Sequence, residues 1–143
     1  MATRNGSAEW KGDLPSGSGQ LTVGDGVFTG AYSFSSRFEE GEGTNPEELI
    51  GAAQAACYSM QLSAMLAGDG HTPDSVDTTA KVDLHMVDEV PTITKIAIST
   101  EGKVPGIDAG TFDDYAKKAK EACLVSRALG GVNEITLSSK LAS

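Results

Sequence analysis

The sequence predicts an α+β domain with antiparallel sheets, and three observations predict it. Short stretches of alternating hydrophobicity parted by glycine turns open the chain, a long charge-free helical run follows, and further alternating stretches, a second helix and a last strand complete it. At 143 residues a single domain over residues 1–143 is expected, large enough to bury a core.

In order along the chain, turns at Gly12 to Gly19 and Gly24 to Gly26 separate Glu9 to Lys11, Gln20 to Val23 and Val27 to Ser35, the pattern of an antiparallel meander. If the third strand stays regular, Tyr32, Phe34 and Phe38 share one face and Arg37 points to the other. Glu39 to Gly43 is an acidic connection; its carboxylates without a lysine would repel a phosphate.

The helix expected from Thr44 to Gly68 has stacked start signals: Thr44 or Asn45 as N-cap, Pro46 in the first turn, and Glu47 and Glu48 where the helix dipole favours negative charge. No charged residue lies between Leu49 and Gly68, and Ala53, Cys57, Met60 and Ala64 recur on one face, so Cys57 is expected to be buried there. Its alanines, glutamines and serines, and the lack of flanking Lys or Arg, argue against a membrane span and for a cover of protein.

Past Gly70, Val76 to Val87 and the strand from Pro91 towards Gly102 form an expected hairpin turned at Asp88 to Pro91, and Val104 to Ile107 is a tight turn. A helix is expected to start near Thr111, with Thr111 and Asp114 as a capping box, a stripe of Phe112, Tyr115, Ala116 and Ala119, and pairs Asp113 with Lys117 and Asp114 with Lys118. A short helical piece from Cys123 to Leu129 and a strand through Ile135, Leu137 and Leu141 end the chain. One apolar helix and about six strands are hard to close alone. A second copy covering the helix, hence a homodimer, is expected.

A net charge of −9 and three scattered arginines leave no basic surface for nucleic acid or an anionic membrane. The opening residues, MATRNGSAEWKGDL, carry no apolar run of the secretory kind, so a cytoplasmic location is expected, where two cysteines are either inert core residues or redox residues. Cys57 is too far from the helix start to profit from the dipole, and apolar surroundings disfavour a thiolate. A nucleophile there at neutral pH needs roughly 3.4 kcal/mol of differential stabilisation of its anion, which one buried guanidinium can supply. Arg37 is the candidate cation, and Glu47, about three helical turns before Cys57, the carboxylate to hold it. The plain alternatives are a core thiol, a solvated strand end and a helix-start carboxylate. Cys123, at the start of a short helix, gains modestly from its position. No CxxC or HxxxH spacing joins the cysteines to His71 and His85, so no metal is expected.

These residues carry a resemblance. GTNPEELIGAAQAACYSM resembles the active-site helix of the OsmC/Ohr family of thiol peroxidases, and WKGDL, YSFSSRFEEG, VPGID, the second cysteine followed by VSRAL, and ITLSSKL extend the match over the chain. The arginine in SRFEEG, just before the helix, is similar to the osmotically inducible OsmC branch. The resemblance implies an intertwined homodimer, its antiparallel sheets wrapped around long central helices. It implies Cys57 as peroxidatic thiol, Cys123 as resolving thiol, Arg37 as stabiliser of thiolate and oxyanion, and Glu47 as the residue that orients Arg37. It also implies organic hydroperoxides before hydrogen peroxide as substrates, a Cys57–Cys123 disulfide, a dithiol reductant such as a dihydrolipoyl group, and no cofactor. Two departures stand out: Leu124 where relatives commonly have proline, and Gln54 where many have His or Tyr. The rival reading is a binding or structural dimer protein with an apolar cavity for a small hydrophobic molecule and incidental thiols.

Overall fold

The computed structural model describes residues 1–143 as two compact units, Met1–Leu49 and Ile50–Ser143. In the first, β1 (Gly6–Lys11), β2 (Ser18–Val23) and β3 (Phe28–Tyr32) form the expected antiparallel meander in the order β1-β2-β3. The turn after β1 is closed by Asp13, whose Oδ1 accepts from the Ser16 N–H at 2.9 Å and from its hydroxyl at 2.5 Å.

The third strand does not run on to Ser35. It stops at Tyr32, and Phe34–Phe38 form a short helix, α1, so Arg37 sits in a helical turn and the expected strand parity does not apply. Two serines cause this: the Ser36 N–H donates to Ser33 Oγ at 3.1 Å and the Ser33 N–H to Ser36 Oγ at 2.9 Å, a reciprocal cap that ends the strand.

The long helix, α2 (Pro46–Gly68), is capped by Asn45, whose Oδ1 accepts from the Glu48 N–H at 2.8 Å. The division between the two units falls within α2. Its buried residues in the second unit are Gly51, Gln54, Tyr58, Leu62 and Leu66, a ridge of spacings three and four. The expected burial of the Ala53, Met60 and Ala64 face is corrected: these three are exposed in the single chain, Met60 at 75%, and Cys57 beside them is half-buried. With almost no charge anywhere on α2, the pattern of apolar residues could not tell which side the fold would cover.

The second unit holds β4 (Ser75–Val87), β5 (Val90–Lys103) and β6 (Glu134–Leu141) in the order β4-β5-β6. The β4–β5 hairpin turns at Asp88 and Glu89, whose φ values of 50° and 65° are those of a two-residue hairpin turn. The β5–β6 pair is parallel, which corrects the expectation of antiparallel sheets throughout; the connection between them is two helices, α3 (Ala109–Ala122) and α4 (Leu124–Ala128), long enough to return the chain to the same end of the sheet. The cap of α3 is Asp108, whose Oδ1 accepts from the Thr111 N–H at 2.7 Å, so the helix starts about one turn before the expected Thr111, which lies in its first turn. Asp113 pairs with Lys117 at 2.5 Å, whereas Lys118 lies over the Tyr115 ring, 5.9 Å from its centroid.

The core of this unit joins Tyr58, Leu62 and Leu66 of α2, Ile96 and Ile98 of β5, Val104, Phe112 and Ala119 of α3, and Cys123. Each fully buried Leu, Ile or Phe among them contributes about 1.5–3 kcal/mol. Gly102 is glycine because a Cβ there would overlap the Phe112 ring, so β5 and α3 meet in direct contact. No helix is long and apolar enough to cross a membrane.

Candidate active site

The four residues singled out from the sequence fall into two pairs, one in each unit. In the first unit Arg37 and Glu47 form a bidentate ion pair: Arg37 Nη2 donates to Glu47 Oε1 at 2.7 Å, and Nε lies 3.1 and 3.2 Å from the two carboxylate oxygens. The local chain builds this geometry. Ser36 Oγ donates to the Thr44 carbonyl at 2.8 Å, Asn45 Nδ2 donates to the Ser36 carbonyl at 3.0 Å, and the Thr44 N–H donates to the Ala31 carbonyl at 2.9 Å, so α1 is tied to the start of α2. Gly43 permits the turn between them: its φ is 119°, and a Cβ would press against the Ala31 carbonyl oxygen. The Glu47 side chain is 10% exposed and that of Arg37 38%, so the carboxylate is the fixed partner and the guanidinium the one that reaches outward. Nη1 takes no part in the clamp.

In the second unit the two thiols are neighbours, both free, Cys57 half-buried on α2 and Cys123 fully buried. Cys123 stands at the junction of two helices. Its N–H donates to the Ala119 carbonyl at 2.9 Å to end α3, and its carbonyl accepts from the Arg127 N–H at 3.0 Å as α4 begins. Burial pushes the Cys123 thiol up. The N–H and hydroxyl of Ser126, the Cys57 thiol and the N–H of Val125 outweigh that and hold it below its ordinary value. The helix-start N–H groups act by proximity and not as a formed cap, because no side-chain hydrogen bond caps α4. A well-formed hydrogen bond on the sulfur comes from elsewhere: Gln54 Nε2 donates to Cys123 Sγ at 3.6 Å and to Ser126 Oγ at 2.8 Å. Leu124 opens α4 as its first residue, 68% exposed, so the helix forms without a proline there.

Gln54 and Ser126 are residues that sequence reasoning missed. A signal for each was present. Gln54 is an amide in a charge-free helix, three residues before Cys57, and a buried amide must find partners. Ser126 follows Cys123 by three, the spacing at which a helix-start residue meets the N–H and side chain of the next turn. Tyr58, next to Cys57, is buried, and its hydroxyl donates to the Ala116 carbonyl at 3.0 Å. Burial, then the charges of Asp113 and Cys123, push its phenol up beyond the usual range, so it remains a neutral donor. His71 lies edge-on to Tyr115, ring centroids 6.3 Å apart, and His85 pairs with Thr92 across the β4–β5 hairpin.

Residues 39–138 match the family model described as OsmC-like protein. The chain is 52% identical over 141 residues to Peroxiredoxin OsmC of Escherichia coli (strain K12), covering 98% of this chain and 97% of that one. It is 32% identical over 98 residues to the organic hydroperoxide resistance protein of Xanthomonas axonopodis pv. citri, covering 68% of this chain and 67% of the other. Among solved structures, an organic hydroperoxide resistance protein OsmC from Legionella pneumophila superposes with a TM-score of 0.71 over 100% of both chains; at 21% identity that likeness speaks to the fold alone.

Proposed function

This chain belongs to the OsmC family, and from that premise we propose that it is a thiol-dependent peroxidase, acting as one domain over residues 1–143, that reduces hydroperoxides, organic ones in preference to hydrogen peroxide. The observation that carries the reading is the placement of two free thiols side by side, one half-exposed and one buried among hydrogen-bond donors. The names of the relatives, a peroxiredoxin and an organic hydroperoxide resistance protein, agree with it.

The cycle has three steps. The Cys57 thiolate attacks one oxygen of the peroxide; an S–O bond forms, the O–O bond breaks, and the other oxygen leaves with a proton as an alcohol, so the sulfur loses the two electrons that the peroxide gains. The Cys123 thiolate then attacks the sulfenic sulfur, an S–S bond forms, and the S–O bond breaks to release water. A dithiol, a dihydrolipoyl group being one candidate, returns both sulfurs to thiols by exchange. In this reading Arg37, steadied by Glu47, stabilises the thiolate and the oxygen on which charge develops. A cytoplasmic setting suits two cysteines that work as thiols for half of each cycle.

Arg37→Ala is expected to lower the rate of Cys57 sulfenate formation by about a hundredfold, the usual scale for losing one oxyanion donor. Alkylation of Cys57 near neutral pH should slow with it. Unchanged rates of both would assign Arg37 a structural role and favour a binding protein with incidental thiols.

The same reading includes a homodimer. The exposed Ala53, Met60 and Ala64 face of α2 is the apolar surface that a second copy would cover. Light scattering after size exclusion should give twice the chain mass of 14.7 kDa at micromolar concentration, and a clean monomer mass would refute it.

A further inference from the structure

Gln54 is fully buried, and its amide has an uneven environment: Nε2 donates to both Cys123 Sγ and Ser126 Oγ, while Oε1 is buried without any partner. Native folds rarely leave a buried amide oxygen unpaired, and where they do a function of the other end of the group is a reason to accept it. We propose that Gln54 is a positioning residue of the resolving step, its side-chain N–H groups holding Cys123 Sγ and Ser126 Oγ so that the sulfur faces Cys57 as an anion. The proposal rests on the assignment of Cys123 as the resolving thiol.

The network is consistent atom by atom. An amide nitrogen has two hydrogens, and each has a receiver here: the sulfur and the serine oxygen. Accepting from Gln54 leaves the Ser126 hydroxyl hydrogen free to turn towards the same sulfur. Gln54 donates without carrying charge, so it can favour the thiolate over the thiol without itself bringing a buried charge. The titratable group that acts on Cys123 is Cys57 on α2, while the charge of Cys123 in turn pushes up the Tyr58 phenol; α4 contributes the N–H groups of Val125 and Ser126, and no carboxylate or cation is among the groups that hold the thiol below its ordinary value. In the reaction Gln54 neither gains nor loses a proton. The Cys123 thiolate gives its electron pair to the sulfenic sulfur, and the departing oxygen leaves as water.

The chain has two cysteines, so in a Cys57→Ser protein Cys123 is the sole thiol and its ultraviolet thiolate absorbance titrates alone, without peroxide or reductant. Adding Gln54→Met, close in shape but without a donor, is expected to raise that midpoint by about one pH unit, and Gln54→His, which keeps a ring N–H, to recover part of it. In the chain with both cysteines, Gln54→Met should slow disulfide closure after one equivalent of cumene hydroperoxide. A one-unit rise cuts the thiolate fraction about tenfold near neutral pH, and the greater nucleophilicity of the more basic sulfur recovers part, leaving a net slowing of about three- to fourfold. An unchanged midpoint overturns the proposal. So does a lowered one, the sign expected if the amide oxygen faced the sulfur and favoured the thiol. If Gln54→Met does not fold, the side-chain amide resonances of Gln54 in the Cys57→Ser protein decide instead: they should shift with the midpoint of the absorbance, and a flat profile overturns the proposal. Absence of any dimedone-trappable Cys57 sulfenate in a Cys123→Ser protein would instead refute the peroxidase reading on which the proposal rests, whatever the titration gives.

Discussion

A Cys57→Ser protein is expected to consume no hydroperoxide above the uncatalysed rate, a loss of at least about a thousandfold. A serine hydroxyl is not ionised near neutral pH and cannot take an oxygen from a peroxide to give a stable intermediate, so no other step of the cycle can begin. The substitution removes little else. Cys57 is half-buried at the edge of the core, while its neighbours Tyr58, Leu62 and Leu66 on the buried ridge of α2 keep their contacts, so the change in stability should stay within about 1 kcal/mol. The measurement is the disappearance of cumene hydroperoxide with a dithiol in excess, beside a thermal unfolding curve of the same sample. Sustained consumption by the folded variant would rule out Cys57 as the peroxidatic thiol.

The second large effect is expected at Cys123. In Cys123→Ser the first oxidation should proceed and the cycle should then stall, because the sulfenic acid on Cys57 has no thiol beside it. One equivalent of peroxide should be consumed promptly, dimedone should label Cys57 nearly completely, and turnover with dithiols should cease. The fold should accept the change well. Cys123 holds the N-cap position of α4, where serine is among the preferred residues, and Gln54 Nε2 would remain as a donor to the new hydroxyl. A Cys123→Ser protein that cycles with dithiols at the normal rate would show that resolution runs through the reductant directly. The two variants therefore fail in different ways: one never starts, and the other stops after a single event.

The electrostatics of the two thiols differ from what chain position alone suggests. Cys57 was the residue for which a stabilising cation had to be sought. It is Cys123 that has its donors gathered within its own unit, from Gln54, Ser126 and the N–H groups at the start of α4. A resolving thiol of that kind is also the better leaving group when the disulfide is reduced, so the same donors would serve closure and reopening.

Much of the fold was legible because local signals carried it. Glycine turns marked the meander, Asn45, Pro46 and the two glutamates marked the start of α2, and Asp88 to Pro91 marked the hairpin. The pairing of Arg37 with Glu47 was also within reach, since both stand within one turn or so of the segment Ser36 to Asn45 that the local hydrogen bonds fold back on itself. What failed did so where two local programmes competed or where the decision was not local. The serines at 33 and 36 capped a helix where alternation had suggested more strand, and Asp108 took the cap of α3 ahead of Thr111.

The sequence by itself determined the order and kind of the elements, the presence of the two thiols, and the ion pair beside the entry to α2, because these depend on neighbours no more than about ten residues apart. Tertiary structure alone decided that β6 runs parallel to β5, which face of α2 is buried, and that Gln54 meets Cys123 across 69 positions of chain. A helix with no charged side offers no local reason to bury one face over another, so the choice falls to what packs against it. That same packing brings an amide nitrogen to a sulfur, a contact that no spacing along the chain encodes.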